Sequence, residues 1–487
     1  MSSSRRKDDT PHSPGCTRRE FLKSAARWAA VGMLGVPPLV RTLAGQTAPV
    51  RPREFNVLDF GAAGDGATLD SPALQRALDA AAGAGPGSRV IVPGSHRFLC
   101  GRLELRSGIE FHLADDAELL ASTRPQDYAA DRALLSAHDA VGLRVTGTGR
   151  INGRSREFMT RYDPAGEWWR PAAFRPRLAV FSGCHDLTVH GVTFFHAPEW
   201  TLHLVGSDGV LVDGVTIRNE LDVPNCDGID PDHCRNVEIR HCDITCGDDA
   251  VAVKATRPHA AYGGSAHIHV HDCVLETKDS GVKIGTETTG DIEDVCFERC
   301  DIRSSSRGCT IQLRDEGNIR NVVFRDIKFT ARFQADPWWG RGEAISFTAI
   351  PRTPETKLGR IRGVRVENVT GRAENSVRIS GCRESRIADV VFDNVAVTLD
   401  RWTNYRGGLW DNRPTTAYPA IEEHATPGIH VRCADNVVLR RCQVAWGPNR
   451  PDYFTHALEA QDVSGLSYPD FRGAAAHPER ETAVQIE

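Results

Sequence analysis

Methionine is scarce in this sequence, with 3 in 487 residues, and the Ala/Leu/Glu/Lys bias of long helical proteins is missing. Turn formers are abundant instead: 44 Gly and 27 Pro beside 40% hydrophobic residues argue for an all-β chain with ample core. No helical pattern of 10–15 residues separates the apolar stretches of the central region, which excludes βαβ units. Nothing after Ala44 approaches the roughly 18 apolar residues that cross a bilayer, so the mature form is expected to be soluble, with no membrane anchor. Cys242 and Cys246 are not spaced as C-x-x-C and no matching second pair follows, which argues against structural zinc.

The N-terminus is of a different kind. In "TRREFLKSAARWAAVGMLGVPPLVRTLA", Arg18 and Arg19 precede Phe21, Leu22, Lys23 and a short, mildly apolar run ending in small residues. This resembles a twin-arginine export signal, read here as residues 1–44 with a linker at 45–54, and implies a periplasmic or secreted protein. Residues 1–44 hold 8 Lys+Arg and 3 Asp+Glu, leaving 51 basic and 61 acidic side chains, a net −10. Such a field attracts no polyanion, so no nucleic-acid partner is expected, and an anionic substrate needs a local basic patch.

From Cys184 onward a unit recurs every 22 to 31 residues, clearest up to about position 330: "CHDLTVHGVTF", "SDGVLVDGVTI", "CRNVEIRHCDI", "SAHIHVHDCVL", "DIEDVCFERCDI". Each is a polar turn, a short alternating strand, a second turn and a second short strand. One unit is too short to bury its own apolar face, whereas stacked units make a continuous core. The Leu-x-x-Leu-x-Leu skeleton of leucine-rich repeats is absent, leaving a parallel β-helix. Cys242, Cys273, Cys300 and Cys442 share one repeat position and read as an inward ladder of small residues rather than as disulfides. A helix starting at Asp70 or Ser71, with Leu74, Ala77, Leu78 and Ala81 on one face, caps the first coil. The β-helix is expected to span 55–461, with 462–487 a fraying C-terminal tail.

Asp227 precedes Asp248 by 21 residues and Asp249 by 22, about one coil. Adjacent coils lie about 4.8 Å apart, so the two acidic clusters are expected on one wall, one above the other. Close carboxylates repel unless they share a proton, bind a cation or contact a substrate. Pushing their pKa values apart makes an acid beside bases, the arrangement of glycoside hydrolysis. Alternation along a strand cannot put Asp248 and Asp249 on one face, so Gly247 is expected to supply an unusual backbone angle between the strands.

"NCDGID" and "CGDDAVAVK", in this order and spacing, resemble the Asn-Thr-Asp-Gly-x-Asp and Gly-Asp-Asp motifs of glycoside hydrolase family 28, the polygalacturonase and rhamnogalacturonan hydrolase family. Cys226 stands in place of Thr, and the likeness extends over roughly residues 55–450. It implies a right-handed, single-stranded parallel β-helix like that of pectin lyase. It implies an inverting glycosidase with Asp248 as general acid and Asp227 and Asp249 holding and deprotonating the attacking water. The carboxyls of an inverting pair stand about 6.5–9.5 Å apart. No metal and no cofactor are implied, and the partner is a pectin-like polysaccharide or oligosaccharide met by a monomer. Asn225, Asp230 and Lys254 lie in the matching motifs as candidate substrate-binding residues.

Two stretches depart from the family. "DSGVKIGTET" puts Ser280 where a Gly-His-Gly motif has histidine, and "RGCTIQLR" puts Thr310, Ile311 and Gln312 where an Arg-Ile-Lys motif grips the uronic carboxylate. Thr and Gln cannot supply the charge-assisted bonds of Arg and Lys, so ordinary polygalacturonate is not the expected substrate. Lys283, alternating with inward Val282 and Ile284, is expected to face outward and compensate, with Arg307 and Arg314 as further candidates. His203, one coil before Asn225, is a candidate for the cleft. Trp168, Trp169, Trp200, Trp338 and Trp339 are candidate sugar-stacking faces. His267, His269 and His271 share a strand face but are not expected to converge on an ion. The alternatives are a lyase of the same fold, using acidic clusters to hold calcium, and a non-catalytic carbohydrate-binding solenoid.

Overall fold

The computed structural model of the protein describes residues 53–487; the expected export signal and most of the expected linker lie outside them. Alternating strands joined by short turns wind into a right-handed, single-stranded parallel β-helix. One wall is built from Leu202–Val205, Ile229–Asp232, Val251–Ala255, Ser280–Thr288, Arg307–Leu313, Glu343–Ala349, Asn375–Ser380 and the start of Ile429–Arg440, each parallel to the next. A second wall runs through His185–His190, Asp208–Asp213, Arg235–Arg240, Ser265–His271, Ile292–Glu298 and Ile319–Arg325. A third begins with Thr193–Phe195, Thr216–Arg218, Asp243–Cys246 and Val274–Thr277.

Period-2 alternation sends one set of side chains inward, where equivalent positions stack. Val212, Ile239, Val270, Phe297 and Phe324 form one such ladder, in register and fully buried. The Phe297 and Phe324 rings stack at 5.3 Å, and Phe347 of the first wall extends the stack at 5.4 Å. Burying each such side chain contributes about 1.5–3 kcal/mol.

The turns explain the polar residues of the repeat. At the turn into the second wall, Asp186, Asn236, His267, Asp294 and Asn321 adopt φ between 53° and 57°, and Gly209 takes the same place at 73°. This left-handed conformation suits Asn, Asp and Gly, which accounts for the residue choice. A second left-handed turn, at His241, Asp272, Arg299 and Arg441, directs the next residue inward. Those next residues are Cys242, Cys273, Cys300 and Cys442, all buried and unpaired by disulfides. The cysteine ladder is as expected.

The helix Ser71–Gly83 closes the N-terminal end, burying Leu74, Ala77, Leu78 and Ala81. Asp70 does not cap it with its side chain; the carboxylate accepts from the backbone N–H groups of Ala63 (2.6 Å) and Gly64 (3.1 Å) and ties the preceding loop. Residues 462–487 do not fray as expected. Val484–Ile486 adds a parallel strand to Leu458–Ala460, and Ala475 and Ala476 are buried. The added strand is three residues long, too short to show a period.

Candidate active site

Asp227 sits just before the strand Ile229–Asp232, and Asp248 and Asp249 just before Val251–Ala255. Because Ile229 pairs with Val251, Asp227 lies beside Asp249 in the next coil, and the Gly228 N–H donates to the Asp249 carbonyl (2.9 Å). The three carboxylates converge: one oxygen from each lies within 4.8 Å of the others. Their nearest atoms are closer than the carboxyl separation of about 6.5–9.5 Å generic to inverting pairs, because neighbouring coils fix the spacing.

Gly247 has a reason other than the one expected. Its φ is not in the left-handed region; a Cβ there would stand 2.1 Å from the Val223 carbonyl oxygen. At Gly228 a Cβ would meet the Ala250 carbonyl oxygen at 2.3 Å. Glycine lets the backbones close up so that both aspartates leave the turn toward Asp227.

The charges are distributed unequally. Asp249 is buried and accepts from the Lys283 ammonium at 2.6 Å and from the Ser280 N–H at 3.2 Å. Burial works against its charge, but Lys283 and Lys254 outweigh it and hold its pKa below the ordinary carboxylate value. Asp248 is partly exposed and accepts from the backbone N–H groups of Asn225 (3.1 Å) and Asp249 (2.9 Å). Desolvation first, then the charges of Asp227 and Asp249, push its pKa well up. Asp227, buried and bonded to Lys254 at 3.1 Å, is also raised, chiefly by burial. A carboxyl of raised proton affinity therefore adjoins one of lowered affinity, the contrast that an acid and a base require.

The remaining candidates divide into those lining the cluster and those behind it. Asp230 is fully buried, 3.5 Å from the Lys254 ammonium, with a pKa raised first by desolvation. Lys254 ties Asp227, Asp230 and Glu287 and rests 4.3 Å from the Trp200 ring centroid. Asn225 is exposed at the mouth, its side-chain oxygen held by Arg175 at 3.0 Å. Lys283 does point outward from its coil but is not free: it is 2% exposed and engaged with Asp249. Ser280, at the family's histidine position, bonds Asp279.

His203 is buried between Arg177 (2.9 Å) and Asp232 (3.1 Å), and burial pushes its pKa down to about 4, so it is a neutral, hydrogen-bonded imidazole. It lines a cavity of about 570 Å³ with Trp200, His259 and Glu287, beside the carboxylates rather than among them. Trp338 is buried and packs edge-on against Trp168 at 5.8 Å, so neither ring is simply an open stacking face. His267 and His271 pair with separate carboxylates, Asp294 and Glu238, and the rings of His269 and His271 lie 4.3 Å apart.

Arg307 is locked by Asp279 (3.0 Å), Asp411 (3.4 Å) and Glu343 (3.7 Å). Sequence reading missed Arg378, which shares the outward row of Lys283 through Thr310 and Ser346. The signal was present: "VRI" at 377–379 repeats "VKI" at 282–284.

A solenoid wall carrying carboxylates of opposed proton affinity beside buried cations is an arrangement that glycoside hydrolysis can use. Comparison with known proteins agrees, and the chain belongs to glycosyl hydrolases family 28, whose model matches residues 85–405. It is 28% identical over 385 residues to a probable polygalacturonase of Vitis vinifera, covering 72% of this chain and 75% of that one. It is 25% identical over 401 residues to a polygalacturonase of Ralstonia nicotianae, covering 68% and 74%. Among solved structures it resembles an exopolygalacturonase of Thermotoga maritima (TM-score 0.62, 24% identity, 71% of this chain and 87% of that one). It also resembles a family 28 exopolygalacturonase of Yersinia enterocolitica (TM-score 0.66, 19% identity, 85% and 78%). No helix among the described residues is long and apolar enough to cross a membrane.

Proposed function

We propose that this glycosidase hydrolyses an O-glycosidic bond in a pectin-like polysaccharide or oligosaccharide by single displacement, after export by the twin-arginine route. Asp248, partly exposed and with its pKa pushed up, gives its proton to the leaving oxygen. Asp249, held ionised by Lys283, and Asp227 position the attacking water and take its proton. The observation that carries this reading is the convergence of three carboxylates with opposed proton affinities on one wall. Inversion is taken from the family resemblance, since the short spacing does not by itself select it.

Asp248→Asn tests the assignment. Loss of a general acid is expected to lower kcat by about 10²- to 10⁴-fold while thermal unfolding stays near that of the unsubstituted protein. Substantial retained activity on polygalacturonate and related pectic oligosaccharides rejects the role. NMR of the first-formed product gives the anomer and, with it, inversion or retention. Unsaturated, ultraviolet-absorbing products mark elimination and reject hydrolysis.

A further inference from the structure

At the C-terminal end of the wall that carries Lys283, two histidines and a glutamate meet away from the proposed chemistry. His430 and Glu459 stand opposite each other in adjacent coils, His430 one coil beyond Arg378. His424 comes from the segment just before, where Ile421–Glu423 pairs antiparallel with Leu409–Asp411 and the His424 N–H donates to the Gly408 carbonyl (3.0 Å). From Lys283 to His430 is four coil steps, about 19 Å at about 4.8 Å per coil, so this group does not touch the three aspartates.

The three side chains converge without completing one another. One donor atom from each lies within 4.8 Å of the others. Nδ1 of His430 is 3.2 Å from Glu459 Oε1, and Nε2 of His424 is 3.7 Å from the same oxygen. His430 is fully buried, yet neither of its ring nitrogens is aligned for a hydrogen bond among the described residues. Such a buried polar group calls for an explanation. A tetrahedral zinc ion, with bonds of about 2.0–2.1 Å, sets its ligand atoms about 3.4 Å apart, close to the two spacings seen.

The surroundings hold the donors as ligands are held. Nδ1 of His424 contacts the Ala425 carbonyl, which leaves Nε2 to coordinate, and Trp410 stacks on the ring at 3.8 Å. Gln461 donates to Glu459 Oε1 at 3.2 Å. Arg378, the cation in the preceding coil, is engaged with the Asn412 side-chain oxygen (2.9 Å) and Glu422 (3.6 Å). Burial lowers the pKa of both imidazoles, that of His430 to about 4, which keeps their lone pairs available at neutral pH.

We propose that His424, His430 and Glu459 form a site for a divalent transition-metal ion of the zinc type, which pins the segment 409–424 to the last coils of the wall. Two imidazoles and a carboxylate are ligands that zinc takes, with water in the fourth position, whereas calcium and magnesium call for oxygen ligands. The His424 side chain, 18% exposed, gives the ion its way in.

Calorimetry of the intact, chelator-stripped protein with zinc chloride, and separately with calcium chloride, tests this. Micromolar or tighter zinc binding is expected, at least a hundredfold tighter than calcium, with a higher Tm for the zinc-loaded protein. In His424→Gln and in Glu459→Gln the zinc affinity is expected to fall at least tenfold and the rise in Tm to disappear. Zinc binding no tighter than calcium binding overturns the proposal, and so does tight zinc binding that survives either substitution. Tight binding with no rise in Tm overturns the pinning role. The comparison of zinc with calcium stands whether or not the variants fold.

Discussion

Asp248 and Asp249 are adjacent in the chain, yet the pKa of one is pushed up and that of the other is held down. The difference is the cation each can reach: Asp249 has Lys283 at 2.6 Å, while Asp248 has backbone N–H groups and faces two other carboxylates. Lys283→Met therefore acts on the base. Without its cation, burial is no longer offset and the Asp249 pKa rises. The acid limb of kcat/KM, which reports ionisation of the base, then moves to higher pH, and kcat at a fixed mildly acidic pH falls by an expected tenfold or more. A rise in KM alone, with the acid limb unmoved, shows instead that Lys283 only grips substrate. The pH profile thus separates the role drawn from the ion pair from the role drawn from the sequence, where the lysine was legible as outward but its partner was not. A 2.6 Å contact between Asp249 and a side chain 34 positions away leaves no mark in periodicity.

At the scale of elements, most of the fold was legible because a solenoid writes each coil into a short, recurring string. The inward Val-x-Ile pairs, the cysteine ladder and the one-coil offset of the two acidic clusters all follow from period. What lacked a period was not legible: the closing strand Val484–Ile486, and the segment that carries Trp410 and Asn412 over Arg378. Gly247 was legible as special but for the wrong reason, because only the neighbouring coil shows that a Cβ would strike the Val223 carbonyl. The turn ladder is testable directly. Asn321 has φ 57° and donates to Asp294 at 3.1 Å. Asn321→Val places a β-branched residue in the left-handed region, a cost of about 1–2 kcal/mol, whereas Asn321→Gly keeps the conformation. Thermal unfolding is expected to show a clearly lower Tm for the valine variant than for the glycine variant. Equal Tm values mean the turn conformation is not what selects Asn there.

Across the whole molecule the coils contact mainly their neighbours, so each end needs cover: the helix Ser71–Gly83 at one end and residues 465–487 at the other. Deleting residues 465–487 removes the strand Val484–Ile486 and leaves Leu458–Ser464 as an open edge beside newly exposed apolar side chains, Leu458 and Ala460 among them. Open edges of this kind pair with other chains. The deletion is expected to lower Tm and to cause concentration-dependent association, seen by light scattering. In a quasi-one-dimensional fold this loss is felt first in the last coils. The coils of Asp227 and Asp249 lie many steps away, so the monomeric fraction at low temperature is expected to keep an intact carboxylate cluster. Retained turnover of a short substrate beside a lowered Tm fits nearest-neighbour coupling along the stack. Abolished turnover in a still-folded monomer shows that the carboxylates feel the far end, and that the stack behaves as one cooperative unit from cap to cap.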